Sequence, residues 1–560
     1  MITKYKSCFQ NFKEYKILKT LSDSFLIKSI LTAIIIILAS QTTSANNLSV
    51  SNVSLTGLNT GSQYVMVKCD ISWENSWRTS SAPNNWDAAW VFVKFKVNGN
   101  YTSASGASNS GTTITVGSTS GLRVGMPVKV TSGTGVFAIG SVVTAIPNGT
   151  TFTVSPTPTT PLSGGAVVTG YAIWEHATLN TSGHTTPSGS TITTAADGTG
   201  IFIYRNAEGT GTNTFNNAEL RWNYGVNGVP DGAPVDINVY AIEMVYVPQG
   251  SFYVGSGGFE SGSFYKYPST DNPYLIASEE AITVGTSTDN LYYPNFGYYS
   301  GDQTGVIPVD FPKGFNAFYC MKYELEQRQY AEFLNSLTRK QQSTMVASVI
   351  SEGITSVTNR YVVSGTPTLA NRNGIRCDAT IDGTLPITFY CDLNGNGTGN
   401  ESNDGQHIAC NFLSWNNVAA YLDWSGLRPM SELEFEKSCR GILSPVVDEY
   451  AWGTTGLVNA LPGEYTLSNS GSVNENISLN YSTTLGNAAY YGTIFGLGEA
   501  GINGPLRVGI FAGNINNTGR ITSGATYYGI MEMSGNVWDR VVTIGNSAGR
   551  SFTGAHGNGA

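Results

Sequence analysis

The amino-acid sequence predicts a multidomain chain: an N-terminal all-β sandwich carrying a small inserted β module, then an α+β, loop-rich domain. Three observations carry this expectation. Short runs of alternating apolar and polar residues, separated by Gly/Ser/Asn/Thr turns, occupy positions 46 to 243. A Thr/Gly/Val-rich stretch between Asn98 and Gly170 interrupts them. Helical periodicity with capping signals enters only from Glu326 onward. At 560 residues the chain has room for several hydrophobic cores.

The first 45 residues read as an export signal. Lys4, Lys6, Lys13, Lys16, Lys19 and Lys28 precede the apolar run Ile30 to Ala39, and Thr43-Ser44-Ala45 supplies the small residues of a cleavage site. The run is about ten residues, short of the ~20 that span a bilayer, so cleavage after Ala45 is expected rather than a membrane anchor. The mature protein is then periplasmic, surface-bound or released. Only 12 % of residues are charged, which suits a loop-rich exported protein. The net charge of −9, with no basic stripe in the part beyond the export signal, argues against a nucleic-acid binder. Cys8 leaves with the signal, and Cys69, Cys320, Cys377, Cys391, Cys410 and Cys439 remain. An even set in an exported chain suggests disulfides of undetermined pairing. None forms C-x-x-C, which gives little support to a zinc or redox centre.

Strands are expected at Val65 to Trp73, Ala88 to Phe95, Tyr171 to Leu179, Gly200 to Arg205 and Val235 to Glu243. They assign 46–97 and 171–243 to the sandwich. Trp73, Trp77, Trp86 and Trp90 cluster near one hairpin. They are read as core and rim rather than as a sugar-stacking platform, because large aromatics dominate cores. The inserted module, 98–170, turns at Gly125, Gly140 and Asn148-Gly149. It holds no His, Cys, Asp or Glu, so no catalysis is available there and its role is spacing or adhesion.

From 244 the third domain begins. Tyr330, Phe333, Leu334 and Leu337 fall on one face of a helix over Glu326 to Leu337. Ser414 caps a helix containing Val418, Tyr421 and Leu422 that Gly426 ends. Ser431 and Glu434 form a capping box for the next helix, which Gly441 stops.

Five segments of this domain resemble one known family. Met244 to Gly255 (M-V-Y-V-P-Q-G-S-F-Y-V-G) is similar to its opening strand, and Met321 to Asn335 to its first helix. Cys410 to Gly441 resembles its central helix pair. Ala451-Trp452-Gly453 matches the short motif that follows, and Tyr527 to Asp539 the G-N-V-W-E block. These occur in order in the formylglycine-generating enzyme, or sulfatase-modifying factor, family. The resemblance implies a C-type-lectin-like fold. It covers copper-dependent oxidases that convert a sulfatase cysteine to formylglycine, and also non-catalytic surface proteins. The sequence departs from the pattern at Glu326, where the family has a capping Thr or Ser, and at Arg540, where it has an aromatic. Family enzymes carry their two active cysteines after the G-N-V-W block. The sequence given ends at Ala560 with no thiol after Cys439. In those enzymes the residue matching Cys439 pairs with a cysteine of that same later segment.

The resemblance also implies a calcium site. It places Glu532 and Asp539 as side-chain ligands and Gly535 and Val537 as carbonyl donors, a hard-oxygen set that suits the ion. Independently of the family, Asp392-Leu393-Asn394-Gly395-Asn396-Gly397 fits the start of a calcium loop, with Asp404, Asn403 and Glu401 near its end. An ordinary polar turn accounts for it equally well. Asn487 is a further, weaker ligand candidate.

Catalysis finds little. His176, His184, His407 and His556 form no metal pair or triad; His176 and His184 are expected at the surface of the β domain. Cys439, within a helix, reads as structural. The expected function is a secreted, non-catalytic, calcium-stabilised protein that binds an extracellular protein or glycan. The alternative is a formylglycine-generating oxidase using copper, provided the full-length chain carries the cysteine pair.

Overall fold

The computed structural model describes residues 47–103, 106–260, 262–293, 303–458, 465–490, 502–514, 516–517 and 519–560. The expected signal, with its apolar run and cleavage site, lies outside them. Strands hold 34 % of residues against 8 % in helices, so the framework is a stack of sheets and helices only cover it.

Eight strands build that framework. They are β1 (Ser49–Asn59), β2 (Tyr64–Arg78), β3 (Asp87–Val97), β4 (Ser190–Thr194), β5 (Ile201–Arg205), β6 (Gly209–Trp222), β7 (Val235–Val247) and β8 (Phe318–Met321). One sheet has the order β1-β2-β6. The other runs β4-β5-β3-β7-β8, with Glu175–His176 pairing β3 as well. In β2 the buried residues alternate: Val65, Val67, Cys69, Ile71 and Trp73 face inward. β3 is different, being buried on both faces. Its Ala89, Val91, Val93 and Phe95 pack with the first sheet. Its Trp90 and Phe92 pack with the helices of the C-terminal half.

β7 is the hinge of the architecture in sequence terms. It pairs β3 from Val235↔Val97 to Val245↔Asp87, then pairs β8 from Met244↔Met321 to Val247↔Phe318. A single strand therefore crosses the expected boundary at 243, and sandwich and C-terminal half share one sheet. Polar contacts reinforce the seam. The Trp90 indole donates to the Ser425 carbonyl at 2.8 Å, and Asn85 donates to the Tyr528 carbonyl at 2.8 Å. A buried ion cluster lies across it. Lys322, 1 % exposed, donates to Asp87 at 3.2 Å and Glu243 at 3.0 Å. Asp87 also accepts from Trp73 Nε1, Ser76 Oγ and the Trp77 N–H.

Expected Tyr171 to Leu179 forms only the two-residue strand Glu175–His176 and a single bridge from Leu179 to Trp222. This segment is the return path from the inserted module, and Tyr171 to Trp174 are half-buried without alternation. The module has its own core, including Ile114, Phe152, Val154 and Val168. The four tryptophans belong to core and rim: Trp73 and Trp90 are buried, and Trp86 stacks on Tyr246 at 3.9 Å.

Five helices are described in the C-terminal half: α1 (Gln327–Asn335), α2 (Arg339–Met345), α3 (Trp415–Trp424), α4 (Glu432–Arg440) and the single turn α5 (Ser547–Arg550). Ser414 and Ser431 cap α3 and α4 through capping boxes, as the sequence implies. Gly441 ends α4 at φ +70°; a Cβ there would strike the Tyr527 ring. At Glu326 the side chain turns to His407 Nδ1 at 3.0 Å and to Arg328, while Gln329 accepts from its N–H.

The six cysteines are free thiols, in place of the expected disulfides. Cys69 lies in the sandwich core with no other cysteine. Cys377, Cys391 and Cys410 share the helical core, and Cys320 and Cys439 lie in a third. This distribution leaves an odd number in two of the three cores.

Candidate functional site

A cavity of about 810 Å³ opens beside β8 in the C-terminal half, a size suited to a ligand. Phe318, Tyr319, Cys320 and Met321 of β8 form one wall, and Val418, Tyr421 and Leu422 of α3 another. Met430, Ile530 and Met533 close a third side. Tyr421 belongs to the helical core, with Tyr319 and Met321 packed against it, and Cys320, Ile530 and Met533 belong to a neighbouring core; the cavity is lined by members of both. The rim is aromatic: Trp538 is 90 % exposed and Phe412 47 %.

Polar groups converge at one end. Glu324, half-buried, accepts from the Val537 N–H at 2.9 Å and from Asn536 Nδ2 at 2.5 Å. Burial, and then the charges of Glu532 and Asp539, hold its carboxyl well above the usual carboxylate range. Glu532 sits at φ +58° and accepts from the Gly509 N–H at 2.8 Å. Its other oxygen is buried with no hydrogen bond. Burial pushes the Glu532 carboxyl up to about 8 and that of Asp539 up to about 7. Arg428 also lines the cavity, but it is committed to Glu434 by hydrogen bonds of 2.6 and 2.8 Å.

The expected calcium residues of this block are therefore brought together around one turn. Gly535 packs so tightly that a Cβ would come within 2.5 Å of the Ala489 carbonyl, and the Asn536 N–H donates to that carbonyl at 2.6 Å. Among the described residues no group of three or more His, Cys, Asp or Glu side chains is close enough to hold a metal ion by itself. A cation here would draw on two carboxylates and the carbonyls of Gly535 and Val537. The Glu532 oxygen that is buried without a hydrogen bond fits such an ion, and among the described residues neither Asp539 nor Glu324 has an ion pair. Sequence reasoning missed Glu324. Its signal is a contact with a turn 212 residues away in sequence, which no local motif carries.

The second loop stands apart. Asp392 is fully buried and one oxygen accepts from Arg376 and from the Gly397 N–H. Its other oxygen, and one of Asp404, are buried without hydrogen bonds. Asn394 and Asn396 accept from the Asn396 and Thr398 N–H groups, and both donate to Glu401. Asn394 also donates to Asn403 at 3.1 Å. Asn487 bonds Ser482 and Thr522 main-chain groups at 2.7 Å. It lies two residues before Ala489, against the Gly535 turn.

Thiol and imidazole chemistry is restrained. Burial raises all six thiols, Cys320 to about 12 and Cys377 to about 11. A thiolate nucleophile needs the opposite shift. His176 and His184, expected at the surface, are half-buried. His176 bonds the Thr199 carbonyl at 2.6 Å, and burial lowers it to about 3. His184 accepts from the Arg221 N–H. His407 pairs with Glu326, and His556 stands 3.5 Å from Asp197.

A family model described as "Sulfatase-modifying factor enzyme 1-like domain" matches residues 236–550. Searches of curated proteins and of solved structures return no match.

Proposed function

The chain belongs to the sulfatase-modifying factor enzyme 1-like domain family through its C-terminal half, and from that premise we propose a secreted, non-catalytic, calcium-stabilised binding protein. The observation that carries the reading is the cavity: apolar walls, an exposed aromatic rim and a carboxylate-lined end, with every described thiol held protonated by burial. Its ligand is an extracellular protein or glycan that buries Trp538 and Phe412. Export rests on the basic N-terminus and short apolar run; among the described residues no helix is long and apolar enough to cross a membrane. The oxidase alternative requires copper and a reactive cysteine pair, and no cavity-lining thiol here has the shift such chemistry needs.

Calcium is held by Glu532, Asp539 and the carbonyls of Gly535 and Val537, where it offsets carboxylates that burial otherwise drives toward protonation. A second ion is proposed for Asp392, Asn394, Asn396 and Asp404. Asn487 acts beside the first. Titrating EDTA-treated protein with calcium raises the melting temperature by several degrees. The double variant Glu532→Ala/Asp539→Ala, or the milder Asp539→Asn, loses most of that shift. Identical melting curves in EDTA and in calcium would remove the ion from the reading.

A further inference from the structure

We propose that a second face of the molecule, apart from the cavity, docks a polypeptide segment in which a lysine or arginine stands beside large apolar residues. Phe259, Ile442, Leu443, Val446, Val447 and Tyr450 are all exposed, Phe259 over 87 % of its surface and Ile442 and Val447 over more than half. None of them lines the cavity. Five of the six fall within the nine residues 442–450, directly after α4 and Gly441, a stretch without Lys, Arg or His. Single exposed apolar residues are ordinary, whereas a cluster of them marks a surface that meets a partner.

The two loops that carry the cluster are fixed to each other. Arg440, at the end of α4, donates to the Tyr253 carbonyl at 2.7 Å, and the Gly255 N–H donates to Glu436 at 2.9 Å. The Asp448 N–H donates to Ser256 Oγ at 3.2 Å. Glu449 closes the turn: its N–H donates to the Val446 carbonyl at 3.1 Å, and its carboxylate accepts from Arg440 and from the Val446 N–H. These bonds hold the apolar surface in one shape before any partner arrives, which lowers the entropy lost on docking.

Charge selects the partner. Asp448, at φ +58°, hangs its carboxylate over Gly258, where a Cβ would strike both Asp448 Oδ1 and Glu260 Oε2. That Glu260 oxygen is buried without a hydrogen bond. The main chain of Phe259 and Glu260 lies against the Asp448 carboxylate, so the acidic pair sits at the root of an exposed ring. Among the described residues no Lys, Arg or His pairs with either acid. An ammonium or guanidinium brought by a partner is held by both, while its apolar neighbours cover the patch. A second copy of this chain does not supply it: about a two-fold axis the same patch meets itself, acids included and without a cation. An anionic lipid surface is repelled by the same charges.

The test uses the full chain in calcium with a fluorescein-labelled peptide, Leu-Phe-Lys-Val-Leu between Ser-Gly flanks, and a counterpart with glutamate in place of the lysine, read by anisotropy. Saturable binding of the lysine peptide is expected, about tenfold or more tighter than the glutamate peptide, and weakened by added salt. Phe259→Ser and Val447→Ser, at exposed positions and so without effect on the melting temperature, each weaken it about tenfold. Asp448→Asn combined with Glu260→Gln abolishes the preference for lysine over glutamate. Trp538→Ser, at the cavity, leaves binding unchanged; loss of binding there would place the peptide at the cavity and overturn the proposal. Absence of binding, equal affinity for the two peptides, or affinity that the Phe259 and Val447 variants leave unchanged would overturn it as well. So would dimerisation in sedimentation, or binding to phosphatidylcholine/phosphatidylserine vesicles, that Val447→Ser abolishes: the first assigns the face to a second copy, the second to a membrane.

Discussion

One ammonium faces two carboxylates at the seam between the sheets, and this imbalance has a consequence for stability. Asp87 is satisfied by three further donors, so the proton that neutralises the cluster goes to Glu243. Burial raises the Glu243 carboxyl to about 7, above the ~4.3 of an unfolded glutamate. The native state then holds a proton that the unfolded chain has already released. The stability tied to this residue is full below pH ~4 and is lost as the pH rises through about 7. Glu243→Gln is accordingly more stable than the parent at pH 8, by up to about 3 kcal/mol, and matches it at pH 4. Urea midpoints at the two values check this; a pH-independent difference would contradict it. Lys322→Met, which strands both carboxylates, costs about 3–5 kcal/mol at pH 7 in the same assay. The turn that carries Glu532 and Asp539 stands out in the sequence because it is a contiguous motif that the family resemblance marks. Lys322, Glu243 and Glu324 do not, since each gains its role from partners far along the chain.

Caps decide where the helices begin, and they were legible for a physical reason. A Ser followed three residues later by Asn or Glu satisfies donors that any helix start leaves open, whatever the fold. Ser431 does more than cap. Its hydroxyl also donates to the Pro312 carbonyl at 2.7 Å. Ser431→Ala therefore lowers stability by about 1–2 kcal/mol, visible as a reduced melting temperature, whereas Ser431→Thr recovers much of it. The helix α2 escaped the sequence reading because R-K-Q-Q-S-T-M has no apolar face. It is anchored instead by Arg339, buried, whose guanidinium donates to the Ile350, Asp382, Leu385 and Ile354 carbonyls. A buried arginine carries the energy that periodicity normally reports.

At the level of the whole molecule, the inserted module was legible as a composition change, and its ends close on themselves. Tyr101 pairs Gly170, and the Asn98 N–H donates to the Pro234 carbonyl at 2.8 Å. Its links to the remainder include Arg123 with Glu175, Lys129 with Glu352 and Lys340 with the Gly140 carbonyl. Partly exposed pairs of this kind contribute roughly 0–1 kcal/mol each. Replacing Tyr101 to Gly170 with a short Gly/Ser linker should leave the remainder folded, with its calorimetric transition within a few degrees of the parent. The sandwich and the C-terminal half behave oppositely, because composition shifts near 243 while the backbone does not break there. β7 is hydrogen-bonded along its length, first to β3 and then to β8. Traction applied between the two halves loads that strand in shear, so its bonds must yield together rather than unzip one by one. Tension applied at β8 is thus delivered straight through β7 into the sandwich, and that strand carries it as a single stiff link.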